Sequence, residues 1–112
     1  MTGKFHAREV AMEMAAALRP CLEALARRDR DLENQLRRAA ASVVLNIAEG
    51  SGRWGKDRMQ LYRIAAGSVA EAKSALELAR VWGFGDESIC RNPEALLVRV
   101  LAILWRLTQG RG

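Results

Sequence analysis

The chain has 112 residues, half of them apolar, with a formal net charge of +5. That length supports one modest core and is read as a single domain over residues 1–112. No run approaches the ~18 apolar residues of a membrane span, and the opening segment carries Lys4, Arg8, Glu9 and Glu13 where a signal peptide needs an apolar stretch, so the sequence predicts a cytoplasmic protein with no membrane association.

The apolar residues are mostly Ala, Leu and Val, aromatics make up 5%, and there are two prolines. Ala and Leu are the strongest helix formers, whereas β domains favour β-branched and aromatic residues, so composition points to an all-α fold. The first helical segment covers about 5–28. Val10, Met14, Leu18, Cys21, Leu22 and Leu25 recur at three- and four-residue steps and form one apolar stripe. Pro20 interrupts it at ~3 kcal/mol, yet the stripe stays in phase beyond it, which favours a kink. The charged run Arg27–Asp31 is a connection, in which Asp29 or Asp31 can cap the next helix.

The second helix, about 31–49, places Leu32, Leu36, Ala40, Val43 and Ile47 on one face, and Gly50 and Gly52 are read as its left-handed stop. The third, about 56–82, carries Leu61, Ile64, Ala65, Ser68, Val69, Ala72, Leu76 and Ala79 over roughly three heptads. Gly83 and Gly85 end it. The fourth, about 93–108, is read as starting at Pro93 behind an Asn92 cap, and is apolar around much of its circumference. Four such helices with short links predict an antiparallel up-down-up-down four-helix bundle.

Charge is uneven. Between Arg27 and Arg63 nine cations face five acids, a net of +4. A basic half suits a polyanion, because arginine binds phosphate in bidentate fashion; a salt-bridged helical surface accounts for the same composition. Cys21 and Cys90 have no CxxC spacing and are read as reduced thiols, a disulfide between them being possible but unsupported, and with a single histidine, His6, a four-ligand zinc site is hard to build. No metal or cofactor is implied. The loop Gly50–Lys56 has a faint look of a phosphate loop but follows a helix and lacks the GKS/T ending.

One segment is more specific than an amphipathic helix. Gln35, Leu36, Arg38, Ala39, Ser42, Val43, Asn46, Ile47, Ala48, Glu49, Gly50 and Arg53 fill the pattern Q-[LI]-x-R-A-x-x-S-[IV]-x-x-N-I-A-E-G-x-x-R, and Ala65, Gly67, Ser68, Glu71 and Leu76 fill a second element, A-x-G-S-x-x-E with a leucine-rich turn. Over about 35–78 the chain resembles the four-helix-bundle proteins encoded in intervening sequences of bacterial 23S ribosomal RNA genes. Outside that span it departs: the family's Phe-Pro near the end of helix one is missing. The resemblance implies a bundle that assembles as a ring-like homo-oligomer, typically a pentamer. At fold level the chain is also similar to the accessory variability determinant of diversity-generating retroelements, a basic pentamer that binds a reverse transcriptase and its RNA; fold alone does not carry function.

Arg38, Asn46, Glu49, Ser68 and Glu71 sit close to the apolar seam, where an unpaired polar group costs ~1–3 kcal/mol, so they are read as a structural polar network with Arg38 and Arg53 as partners of Glu49 and Glu71. A general acid/base pair of carboxylates is the competing reading, and no nucleophile accompanies it. Trp82 and Trp105 are read as core or interface. For nucleic-acid contact the sequence offers Arg37, Arg53, Lys56, Arg58 and Arg63, with Trp54 either stacking a base or packing on a helix end. The expectation is a non-enzymatic, oligomeric, basic accessory protein that binds structured RNA or DNA and bridges it to a protein partner such as a reverse transcriptase; the alternative is a protein-binding scaffold with no nucleic-acid contact.

Overall fold

Every described residue from Ala7 to Leu18 that falls on the i, i+3, i+4 stripe is buried: Ala7, Val10, Ala11, Met14 and Leu18 are at most 1% exposed. That stripe defines α1 (Gly3–Ala17) and continues through Cys21 and Leu25 on α2 (Arg19–Ala26). The computed structural model describes residues 3–84 and 86–109, with side chains from His6 onward. Pro20 lies in the first turn of α2, where its missing N–H costs least. The Leu18 amide still bonds the Met14 carbonyl at 3.0 Å, and the Leu22 amide bonds the Leu18 carbonyl at 2.8 Å. The proline therefore segments the first rod at a single residue and leaves its buried stripe continuous.

α3 (Arg30–Ser51) opens on Asp29, whose extended backbone places Oδ1 to accept from the Leu32 amide at 3.0 Å. α4 (Gly55–Val81) buries Tyr62, Ala65, Ser68, Val69, Ala72, Ala75, Leu76 and Ala79. α3 and α4 form the most extensive contact of the molecule, and the alanines on both allow the close approach. α4 ends on a Schellman turn: the Phe84 amide reaches back to the Ala79 carbonyl at 2.8 Å, that of Gly83 reaches the Arg80 carbonyl at 3.0 Å, and Gly83 takes a φ of +77°. Gly85, read as part of this stop, lies outside the described residues.

α5 (Glu87–Gln109) begins earlier than the sequence suggests. Asp86, not Asn92, precedes the helix: its carboxylate accepts from the Ser88 amide at 3.3 Å and the Ser88 hydroxyl at 3.0 Å. Pro93 sits inside, one and a half turns on. The first turn is held by the Ile89 and Cys90 amides on the Asp86 carbonyl, both at 3.1 Å, and by full burial of Cys90, which outweighs the bond that Pro93 removes.

α1 packs on α5 and α3, and α4 on α3 and α5, so the rods close around one core. The result is an all-α helical bundle of four rods, the first of them segmented, measuring 42 × 22 × 19 Å, with no strand among the described residues. No helix among the described residues is long and apolar enough to cross a membrane.

Candidate nucleic-acid interface

The α3–α4 turn is short because Gly52 caps α3 and Trp54 caps α4, with Gly55 at a φ of +52° making the reversal that a Cβ would strain. The indole that opens α4 stays largely in solvent: Trp54 is 81% exposed. It stands beside the Arg58 guanidinium, 5.6 Å from the ring centroid, within cation–π range. Arg58 Nε donates to the Arg53 carbonyl at 3.0 Å, fixing the arginine over the turn. Arg53 donates to Glu49 at 2.8 Å and lies 3.7 Å from Asp57. Lys56 and Arg63 are exposed and Arg58 is half-buried, and none of the three makes an ion pair among the described residues. This end of the bundle thus gathers an exposed indole, a stacked guanidinium and further cations.

Arg37 is not part of that gathering. It lies well before the end of α3 at Ser51, about 21 Å away at 1.5 Å per residue. There it is bound to Glu33, a carboxylate only 1% exposed that also lies 4.0 Å from Arg30. Glu33 Oε1 has no hydrogen bond. A buried charge of this kind needs both cations to offset its desolvation, so Arg37 is committed to the fold. Glu33 was not singled out from sequence, although its i, i+4 spacing to Arg37 was the available signal.

The polar residues of the seam divide. Asn46 donates to the Ser42 carbonyl at 2.8 Å and to its hydroxyl at 3.0 Å, and that hydroxyl meets Ser68 Oγ across the helices at 2.7 Å. Ser42 is the hub, though the sequence reading gave it no role beyond the motif. Glu49 faces solvent with Arg53. Arg38 and Glu71 line a groove of about 560 Å³ between α3 and α4 with Gln35, Leu32 and Ser74, and neither forms an ion pair among the described residues.

Trp82 and Trp105, expected in core or interface, are 52% and 63% exposed on this chain. The cysteines are free and fully buried. Burial, then the neighbouring Cys90 charge and hydrogen bond, push the Cys21 thiol up to about 12. Burial likewise raises Cys90, against the opposing pull of the Cys21 hydrogen bond and the Arg80 guanidinium. No group of three or more His, Cys, Asp or Glu side chains among the described residues is arranged to hold a metal ion.

An all-helical bundle with a basic, aromatic-tipped turn is the class these features define. A sequence model of the 23S rRNA-intervening sequence protein family matches residues 4–106, and the chain belongs to that family. Its fold is similar to the crystal structure of a protein of unknown function from the S23 ribosomal protein family of Bacteroides thetaiotaomicron, at a TM-score of 0.84 and 16% identity, covering 92% of this chain and 98% of that one. No curated protein matches the chain.

Proposed function

We propose that this protein is a non-enzymatic, cytoplasmic accessory protein that binds structured nucleic acid through the α3–α4 end of its bundle. The observation that carries the reading is the exposed Trp54 held beside Arg58, with Arg53 and Lys56 in the same turn and Arg63 about 12 Å along α4. Phosphates meet the cations, giving salt-sensitive and sequence-independent affinity, while an unpaired base stacks on the indole. The family's name, taken from intervening sequences of 23S rRNA, makes RNA the first polymer to test. Residues 1–112 act as one domain, its four rods alternate in direction, and copies assemble into a ring-like homo-oligomer, a pentamer by family resemblance. In the wider form of the reading, the ring holds RNA against a protein partner such as a reverse transcriptase. Arg38, Asn46, Glu49, Ser68 and Glu71 fix helix register or subunit contacts.

The scaffold reading has one observation in its favour: Arg37 and Arg53, two of the residues chosen for nucleic-acid contact, are already paired with carboxylates. One experiment separates the two. Binding of an RNA hairpin and of duplex DNA is measured across a salt series for the native chain, Trp54→Ala and Arg58→Gln. Loss of a stacking base weakens binding by roughly 5- to 150-fold, from ~1–3 kcal/mol per stacked base. Absence of any salt-dependent binding at low ionic strength sinks the nucleic-acid reading, and light scattering tests the oligomer independently.

A further inference from the structure

Arg27 and Arg28 belong to the basic half of the sequence, yet they lie at the opposite end of the molecule from Trp54. The Schellman turn after α4 folds Phe84 back toward the α2–α3 connection, where the Arg28 guanidinium stands 6.0 Å from its ring centroid. Trp82, the residue that caps α4 at its C-terminal end, meets Phe84 edge-on with centroids 6.0 Å apart and an interplanar angle of 65°. Its indole is half exposed. Ala24, Arg27, Arg28, Phe84, Asp86 and Ile89 line a cleft of about 380 Å³ here, within the ~300–1,000 Å³ range of small-ligand sites. Asp29 caps α3, and Asp86, itself part of the cleft wall, caps α5, each beside the positive end of a helix dipole that offsets its charge. Neither Arg27 nor Arg28 forms an ion pair among the described residues.

The two ends of α4 therefore carry the same combination: an exposed indole at the helix cap, a guanidinium over an aromatic face, and cations free for phosphate. Arg28 over Phe84, with Trp82 against that ring, supplies here what Arg58 over Trp54 supplies at the other end. From this repetition we infer that the bundle has a second nucleic-acid site, at the Arg27–Arg28–Trp82–Phe84 cleft, which takes an unpaired segment of RNA by phosphate contact and base stacking. The inference rests on the proposed function and extends it: α4 spans about 40 Å, so one chain engages two RNA segments that far apart. The half-exposed Trp82 indole favours a base over an acidic peptide, which would use the arginines and leave the indole idle.

The test counts RNA per chain. The probe is a hairpin with a single-stranded loop of about eight nucleotides, within the site sizes usual for such binding. It is titrated to saturation against the native chain, R27Q/R28Q, W54A/R58Q and the fourfold variant, with helicity and melting checked for each. Two hairpins per native chain, one for either double variant and none for the fourfold variant is the expected result. If W54A/R58Q abolishes binding, or R27Q/R28Q leaves the count unchanged, the second site is overturned and the first reading stands. If the native chain binds no RNA at low salt, both fall. A polyglutamate peptide that binds this end while R27Q/R28Q retains its full RNA count overturns the site in favour of an acidic protein partner.

Discussion

Gly50→Ala is a sensitive probe of how α3 seats on α4. Gly50 lies within α3 and has no positive φ, so its conformation tolerates a side chain. Space does not: a Cβ there would fall 2.7 Å from Tyr62 Cε1, 2.9 Å from Tyr62 Cδ1 and 3.3 Å from Leu61 Cβ. The Tyr62 ring is 1% exposed and has nowhere to swing, so the two helices must part by several tenths of an ångström. Overpacking of this kind costs about 1–3 kcal/mol. Gly50 is next to the last residue of α3, so the intrinsic helix preference of alanine returns only about 0.5 kcal/mol there. A net loss of about 0.5–2 kcal/mol is expected, read as a lower urea midpoint at unchanged m and a Tm fall of roughly 2–8 °C. The double-mutant cycle with Tyr62→Leu should show a favourable coupling, because that change removes the ring carbons that obstruct the new Cβ; Tyr62→Phe should not. Gly50→Ala that is neutral or stabilising would refute the close-approach argument.

Gly67 gives the opposite expectation. A Cβ there meets nothing within 4 Å, so Gly67→Ala in mid-α4 should stabilise the chain by about 0.5–1 kcal/mol, seen as a raised urea midpoint. Asp29→Ala removes the side-chain bond to the Leu32 amide and should cost about 1 kcal/mol in the same assay. The Cys21 thiol sets an alkaline limit. Its pKa rises from 9.0 to about 12 on folding, so its contribution is fully present below pH 9 and is lost as pH climbs from 9 toward 12, where the unfolded chain has released a proton that the folded chain retains. Stability should fall by up to ~1.4 kcal/mol per pH unit in that window, and Cys21→Ala, though less stable at pH 7, should show a shallower slope.

Helix periodicity made most of the bundle legible, because each buried stripe repeats within a single segment of chain. Features that depend on a distant neighbour were hidden. Gly50 reads as a helix stop because glycine near a helix end usually is one; that it admits the Tyr62 ring depends on how α3 lies on α4. Pro93 reads as a first-turn proline for the same statistical reason, and only the burial of Cys90 shows why the helix starts a turn and a half earlier. At the candidate site, the aromatic and basic residues around Trp54 are contiguous in sequence and so were visible together. The Arg28–Phe84 approach joins segments far apart in the chain and was not.

The fold also changes what the basic half of the sequence means. Of its nine cations, Arg30, Arg37 and Arg53 are held by carboxylates. Arg38 lines the α3–α4 groove beside Glu71. What remains free divides between two places: Arg27 and Arg28 at one end of α4, and Lys56, Arg58 and Arg63 toward the other. A net of +4 spread along the sequence thus becomes two small basic ends separated by the length of a helix. The difference is measurable. A continuous face engaging all nine cations would give a slope of log K against log salt near −6 to −8, at about −0.7 to −0.9 per phosphate neutralised, whereas one end with three free cations gives about −2 to −3. A steep slope for a short hairpin would mean that RNA binding breaks the Glu33 and Glu49 ion pairs; a shallow one leaves them intact, with each end binding as a separate site.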